Sequence, residues 1–244
     1  MTDESFESVS GGWDESAEAW IAHLGDSGDF GRQFVLDEPM LAHIRDGGRG
    51  FSRALDVGCG EGRFCRMMRA EGIASIGIDP TVQLVKRARS LDPGGDYRID
   101  QAETFDFGEG AFDLVVSYLT LVDIDDVDTA VSNMARALRP GGALLVANLT
   151  SFMTAGMPEG WSACCGTEKF SIDRYLEERS VWLEWQGIKI RNWHRPLQTY
   201  MQAFLKAGLV LNDFIEPSPS GGDPDKGDRY RRVPWFHILE WRKP

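Results

Sequence analysis

Five short apolar runs, separated by stretches of helical periodicity, constrain the fold of this chain more than any other feature. They are Ala54-Leu55-Asp56-Val57, Ile73 to Ile78, Tyr97 to Asp100, Phe112 to Tyr118 and Ala143 to Leu149. Between them, Gly62 to Ala70 carries Phe64, Met67 and Met68, and Pro80 opens a stretch with Leu84, Val85, Ala88 and Leu91. Val127, Val131, Met134 and Leu138 share a third helical stripe. Strands alternating with helices at this spacing predict a parallel sheet with right-handed crossovers. Phe112 to Tyr118 is almost continuously apolar, as a strand covered on both faces must be. Arg139-Pro140-Gly141-Gly142 predicts a turn before the fifth strand.

The flanks break this rhythm. Residues 1–12 are polar and Gly/Ser-rich, and are expected to be loose until a ligand orders them. Asp14 is expected to cap a helix carrying Ala17, Trp20, Ile21 and Leu24, with Gly25 as its stop. A second helix is expected over Pro39 to Arg45, between Asp37 and Gly47-Gly48. Val181 to Trp185 and Ile188 to Trp193 flank Gln186-Gly187 like an antiparallel hairpin, read as part of a cap inserted over the sheet. Pro196 starts a helix that ends at Gly208. Leu209 to Ile215 and Pro234 to Trp241 read as two closing strands, and the polar stretch Glu216 to Asp228 as a loop that does not pack. The sum is an α/β, doubly wound, seven-stranded sheet whose last strand is antiparallel.

The 244 residues suffice for one sizeable domain. With 38 acidic against 26 basic side chains, the net charge of −12 disfavours a general nucleic-acid binder. Eight acidic residues precede Arg32, the first Lys or Arg, so neither a signal peptide nor a transit peptide is expected. No apolar stretch approaches the ~18–20 residues that span a bilayer. The four cysteines form no CxxC pair, and Cys164-Cys165 has no histidine at ligand spacing, so no metal is expected. The expectation is a reduced, cytoplasmic protein without nucleic-acid or membrane partners, with a homodimer left open.

Asp56-Val57-Gly58-Cys59-Gly60-Glu61-Gly62 carries the most chemistry. It lies where a first strand turns into a first helix, the place where doubly wound sheets bind nucleotide-like ligands. Its glycines run GxGxG rather than the GxGxxG of a pyrophosphate loop, and no Gly-Lys-Ser/Thr follows to hold a triphosphate. The loop suits a nucleoside without phosphates. The second strand ends at Asp79, whose carboxylate can accept from both hydroxyls of a ribose and can also cap the helix opened by Pro80.

Leu55 to Met68 (LDVGCGEGRFCRMM) resembles the first motif of the class I S-adenosylmethionine-dependent methyltransferases. Gly77 to Pro80 resembles their second motif and Phe112 to Asp123 (FDLVVSYLTLVD) their fourth. Leu138 to Gly142 (LRPGG) is similar to the turn before their fifth strand. The likeness is strong over residues 53–150 and looser over 196–241. It implies a Rossmann-like fold, S-adenosyl-L-methionine as cofactor, and a methyltransferase enzyme. By the same resemblance Asp56, Gly58, Cys59 and Gly60 line the methionine and ribose part of the cofactor, with Asp79 and Pro80 at the ribose. Gln101-Ala102-Glu103 stands where the family has an Asp-Ala pair reading the adenine edge. Ser117 and Tyr118 face the reacting methyl, with Leu119 and Asp123 nearby. The implied organisation is an N-terminal helical lid (1–50), a cofactor-binding core (51–150), a substrate cap (151–195) and a closing helix with strands (196–244).

Methyl transfer needs nucleophile and methyl held in line, and a hydroxyl nucleophile usually needs a base as well. The Asn-Pro-Pro-aromatic motif of amino-methylating nucleic-acid enzymes is missing; the chain reads Ser117-Tyr118-Leu119-Thr120, which fits a small-molecule N or O acceptor. Trp13 and Trp20 can close over a sulfonium from the first helix. Arg32 either pairs with the cofactor carboxylate or forms a surface salt bridge. Trp161, Trp182, Trp185, Trp193 and Tyr200 either line a flat-walled pocket or pack the cap. His194 is either the base, with Tyr118 as the other catalytic candidate, or a histidine bonded to backbone at a helix entry. Arg229, Arg231 and Arg232 either meet an anionic substrate or lie in solvent. Two other readings stay open: a non-catalytic cofactor-binding regulator, and a nicotinamide-dependent oxidoreductase.

Overall fold

The computed structural model describes residues 11–25, 27–45, 50–164 and 166–244. The expectations for residues 1–10, for Gly47-Gly48 and for the Cys164-Cys165 side chains lie outside what is described. Two N-terminal helices, α1 (Trp13–Leu24) and α2 (Asp37–Arg45), flank a π-helical turn over Arg32–Leu36. The βα units follow as β1 (Arg53–Val57), α3 (Arg63–Ala70), β2 (Ala74–Asp79), α4 (Val82–Leu91), β3 (Asp96–Ile99), β4 (Phe112–Tyr118), α5 (Val127–Ala137) and β5 (Leu138–Leu149). A short α6 (Ser151–Ala155) leads into β6 (Trp161–Cys164), β7 (Thr167–Phe170), β8 (Arg179–Trp185) and β9 (Ile188–His194). The chain closes with α7 (Leu197–Lys206), β10 (Val210–Ile215), α8 (Pro224–Arg232) and β11 (Phe236–Arg242).

Seven strands form one sheet in the order β10-β11-β5-β4-β1-β2-β3. The pairs among β1 to β5 are parallel, and β11 runs antiparallel to both β5 and β10, as the sequence predicts. The side-chain period of two sends alternate residues to opposite faces. Leu55, Val57, Val115, Leu144 and Val146 pack with Val131, Met134, Tyr200 and Phe204 on the face of α5 and α7. Leu114, Val116, Leu145 and Ala147 pack with Met40, Phe64, Met68 and Val85 on the face of α2, α3 and α4. Burying each such aliphatic side chain contributes about 1.5–3 kcal/mol. Every residue of β4 is buried, the physical reason its sequence shows no polar alternation.

Three local expectations are corrected. The helix α1 begins after Gly12, and Asp14 sits in its first turn rather than at its cap. The Arg139–Gly142 turn is folded into β5 as a bulge: Phe112 pairs with Leu138, while Leu114 pairs with Ala143. The stretch expected to be a loop, Glu216 to Asp228, contains the start of α8, whose N-terminus is capped by the Asp223 carboxylate accepting from the amides of Asp225 and Lys226. The signal was Asp223-Pro224, a capping residue followed by proline at the first helical position.

The β8–β9 hairpin turns at Gln186-Gly187, with Trp185 opposite Ile188, and β6–β7 form a second hairpin. The amide of Arg191 in β9 donates to Gly11 O at 2.9 Å, and Ser16 of α1 bonds the backbone of Lys189 in both directions. The first helix is thereby fixed against the hairpin, above the C-terminal ends of the parallel strands. Among the described residues, no helix is long and apolar enough to cross a membrane.

Candidate active site

The site starts where β1 ends. Gly58 has φ +74°, and a Cβ there would lie 2.2 Å from Thr120 Cγ2, so only glycine brings the loop this close to the turn after β4. The amides of Gly58 and Cys59 both donate to Ile78 O, at 2.8 and 2.9 Å, tying the loop to β2. Asp79 completes the tie: Oδ2 accepts from Gly60 N at 2.9 Å and Oδ1 from Thr81 N at 2.8 Å. Burial raises the Asp79 pKa, partly offset by those backbone bonds. Asp79 thus braces the glycine loop and the turn into α4 at once; the helix itself starts at Val82 with Thr81 at its cap position, which corrects the expectation of Asp79 as the capping residue.

These elements enclose a cavity of about 290 Å³ at the C-terminal ends of β1, β2 and β4. On its wall, Asp56 Oδ1 is buried without a hydrogen-bond partner. The Cys65 thiol donates to Asp56 Oδ2 at 3.3 Å. Burial pushes the Asp56 pKa up to about 7, against that thiol bond and aided by the charge of Asp79. Trp13 and Trp20 meet edge to face, 5.0 Å between centroids, and the Arg32 guanidinium lies 5.1 Å over the Trp20 ring. Arg32 also donates to Asp29 Oδ2 at 2.5 Å.

Tyr118, the last residue of β4, donates its hydroxyl to Asp37 Oδ1 at 2.9 Å. Arg63 donates to both oxygens of the same carboxylate, at 2.8 and 2.5 Å. Burial and the neighbouring Asp37 raise the Tyr118 pKa well above the ordinary phenol value. The phenol is a held donor, and its proton is not available to a base at neutral pH.

The turn after β4 forms the other wall. Leu119 adopts φ +60°, an uncommon conformation for a side chain of this size. The turn is held from β9 and the residue after it. Trp193 N donates to Val122 O at 2.6 Å, and Asn192 Nδ2 donates to Asp123 Oδ1 at 2.6 Å. Arg191 and the Trp193 indole both donate to Asp125 Oδ1. The fully buried Arg195 donates to the carbonyls of Leu121, Ile124 and Asp125 and pairs with Glu178. Burial pushes the Asp123 pKa up to about 8, against hydrogen bonds from Trp13 and Asn192.

Trp13, Trp20, Arg32, Asp56, Gly58, Cys59, Gly60, Asp79, Pro80, Gln101, Ala102, Glu103 and Tyr118 all line this one cavity. Two expected residues do not. Ser117 is fully buried and points to the opposite face of β4 from Tyr118, as strand alternation requires. His194 is also buried away from the cavity. Its Nδ1 pairs with Thr154 Oγ1 at 2.8 Å and its Nε2 donates to Tyr175 O at 2.9 Å. Burial lowers its pKa, so it is a neutral imidazole with both nitrogens engaged, and the expectation of a base is corrected. The aromatic set is likewise placed outside the cavity: Trp185 packs on Trp20, and Trp193 lies under the Arg195 guanidinium. Arg229 and Arg232 pair with Glu168 beside Trp161. Sequence reasoning missed Asp37, Arg63 and Arg191. Arg63 directly follows the last glycine of the loop, a position that could have drawn notice, whereas Asp37 and Arg191 carry no local signal.

Residues 55–146 match a family described as a methyltransferase domain. The malonyl-[acyl-carrier protein] O-methyltransferase of Enterobacter lignolyticus is 31% identical over 133 residues, 54% of this chain and 52% of that protein. The ubiquinone biosynthesis O-methyltransferase of Chelativorans sp. is 33% identical over 108 residues, 42% of each chain. The match thus spans about half the length of these relatives or less. The crystal structure of an S-adenosylmethionine-dependent methyltransferase from Mesorhizobium loti superimposes with a TM-score of 0.75 at 26% identity, covering 90% of this chain and all of that one. With its four motifs, its strand order and this cavity, the chain carries a methyltransferase domain over residues 55–146, on a fold shared with that S-adenosylmethionine-dependent methyltransferase.

Proposed function

We propose that this chain transfers the methyl group of S-adenosyl-L-methionine to a nitrogen or oxygen atom of a small molecule. The observation that carries the reading is Asp56 Oδ1, a buried acceptor without a partner on the cavity wall, which suits the ammonium group of the cofactor's methionine part. A Cβ at Gly60 would meet nothing within 4 Å, so the loop there is open for a ligand to lie against backbone. Asp79 keeps lone pairs beyond its two backbone bonds for a ribose diol. Gln101, Ala102 and Glu103 would flank the adenine, with Gln101 as a neutral acceptor. Arg32, Arg63 and Arg191 are the cations on the cavity wall, each paired with an aspartate of the chain, and Arg32 would lie nearest the cofactor carboxylate, while Trp13 and Trp20 offer aromatic faces to a cation.

When bound, the cofactor supplies an electrophilic methyl on a sulfonium. The chain's task is then to orient the acceptor, exclude water and manage one proton. In this reading α1 serves as a lid and residues 151–195 as a cap over the acceptor. That both named relatives are O-methyltransferases supports an oxygen acceptor. The test is incubation of the purified chain with methyl-labelled cofactor and a panel of hydroxyl and amine metabolites. Labelled product supports the proposal. Tight cofactor binding with no product across the panel points instead to a cofactor-sensing module.

A further inference from the structure

We propose that Asp123 receives the proton of the acceptor group, so that the acceptor is a hydroxyl or an ammonium and not a free carboxylate. This rests on the methyl-transfer reading. Of the other carboxylates on the cavity wall, Asp56 is assigned to the cofactor's ammonium group, Glu103 and the neighbouring Asp100 lie at the adenine end, and three more are engaged by the protein. Asp79 braces Gly60 and Thr81, Asp125 holds Arg191 and the Trp193 indole, and Glu61 pairs with Arg66. Asp123 instead closes the turn that follows β4 and lines the cavity. Its carboxylate is gripped from two other elements, by Asn192 of β9 and by the Trp13 indole of α1.

That grip has no evident structural need. Arg195 and Trp193 already hold the turn by its backbone. Orienting the side chain as well, beside a cavity, is what a proton acceptor requires. Asp79 and Arg32 are the charges that act on it, the first opposing ionisation and the second favouring it. Enclosure brings its titration to about pH 8, close to where a base works best at neutral pH.

In the step, the acceptor's O–H or N–H proton passes to an Asp123 oxygen, and the freed lone pair bonds to the methyl carbon. The carbon–sulfur bond breaks with its electron pair on sulfur, which becomes a neutral thioether. Asp123 then loses the proton to water. A carboxylate acceptor brings no proton to remove, and its charge would be repelled by an ionised Asp123.

The test uses sinefungin, a cofactor analogue with a primary amine at the place of the sulfonium methyl, against S-adenosylhomocysteine, which lacks that group. Calorimetry on wild type should show sinefungin binding about tenfold more tightly, the scale of one charge-assisted hydrogen bond. In Asp123→Asn the two ligands should bind within about twofold, with S-adenosylhomocysteine affinity retained as the sign of an intact fold. A preference that persists in the variant overturns the proposal. Carbon-13 NMR of the wild-type Asp123 carboxyl gives a second readout that needs no folded variant: sinefungin should lower its titration midpoint relative to S-adenosylhomocysteine, and an unmoved midpoint overturns it. Failure of both ligands to bind wild type overturns the cofactor reading itself. A labelled methyl ester, formed when carboxylate metabolites are added to the panel of hydroxyls and amines, overturns only the assignment of Asp123.

Discussion

Arg195 Nη2 donates to the carbonyl oxygen of Ile124 at 2.8 Å, across 71 residues of chain. The same guanidinium serves the carbonyls of Leu121 and Asp125, so one side chain from the β9–α7 junction shapes the turn after β4. The turn carries Asp123 and lines the cavity, which makes Arg195 a positioning residue for the whole acceptor side.

Arg195→Met should therefore cost about 2–5 kcal/mol of stability, because it strands buried carbonyls that no other donor replaces. Urea denaturation measures it. A loss below about 0.5 kcal/mol would show that the turn holds itself.

Asp79→Ala should weaken S-adenosylmethionine binding by about tenfold or more, since charge-assisted bonds of ~1.5–3 kcal/mol are lost. The variant also frees Gly60 N and Thr81 N, so the glycine loop should loosen in step. Amide hydrogen exchange at Gly60 and Thr81 reads this second effect, and unchanged exchange would separate the carboxylate from the loop.

Much of this was legible in the chain, and for physical reasons. The buried place of β4 was legible in its almost continuously apolar run, and the antiparallel end of the sheet in the two closing strands joined by a long connection. The loop from Asp56 to Gly62 and the acid at Asp79 were legible because their function depends on local backbone geometry. Asp37 was not, because its role arises from meeting Tyr118 and Arg63 in space. His194 misled because a helix-entry histidine looks the same in sequence whether its nitrogens face a substrate or, as here, Thr154 and Tyr175.

Tyr118→Phe should keep cofactor affinity within about threefold, since Asp37 retains the bidentate Arg63 and loses one bond worth about 1 kcal/mol. His194→Ala should lower the melting temperature and leave cofactor affinity unchanged, as expected of a buried histidine bonded on both sides. Thermal unfolding and calorimetry on the two variants check both statements, and a cofactor-affinity loss confined to the histidine variant would contradict them.

The pH dependence of stability has a definite sign. An unfolded aspartate titrates near 3.9, whereas Asp123 titrates at about 8 in the fold. The folded state thus holds a proton that the unfolded state has released, and this group's contribution is full below about pH 4 and lost as pH rises through 8. Asp123→Asn removes that dependence. The variant's melting temperature, taken relative to wild type, should be higher at pH 8.5 than at pH 5, and an equal difference at the two pH values would contradict the account.

The central claim is that the cavity bounded by Asp56, Gly60 and Asp79 binds S-adenosylmethionine. Isothermal titration of the purified chain with that compound, and in parallel with NADH, tests it most directly. The expected result is one equivalent bound with a dissociation constant of roughly micromolar order, about −8 kcal/mol, and no heat from NADH. Heat from NADH with none from S-adenosylmethionine would contradict it.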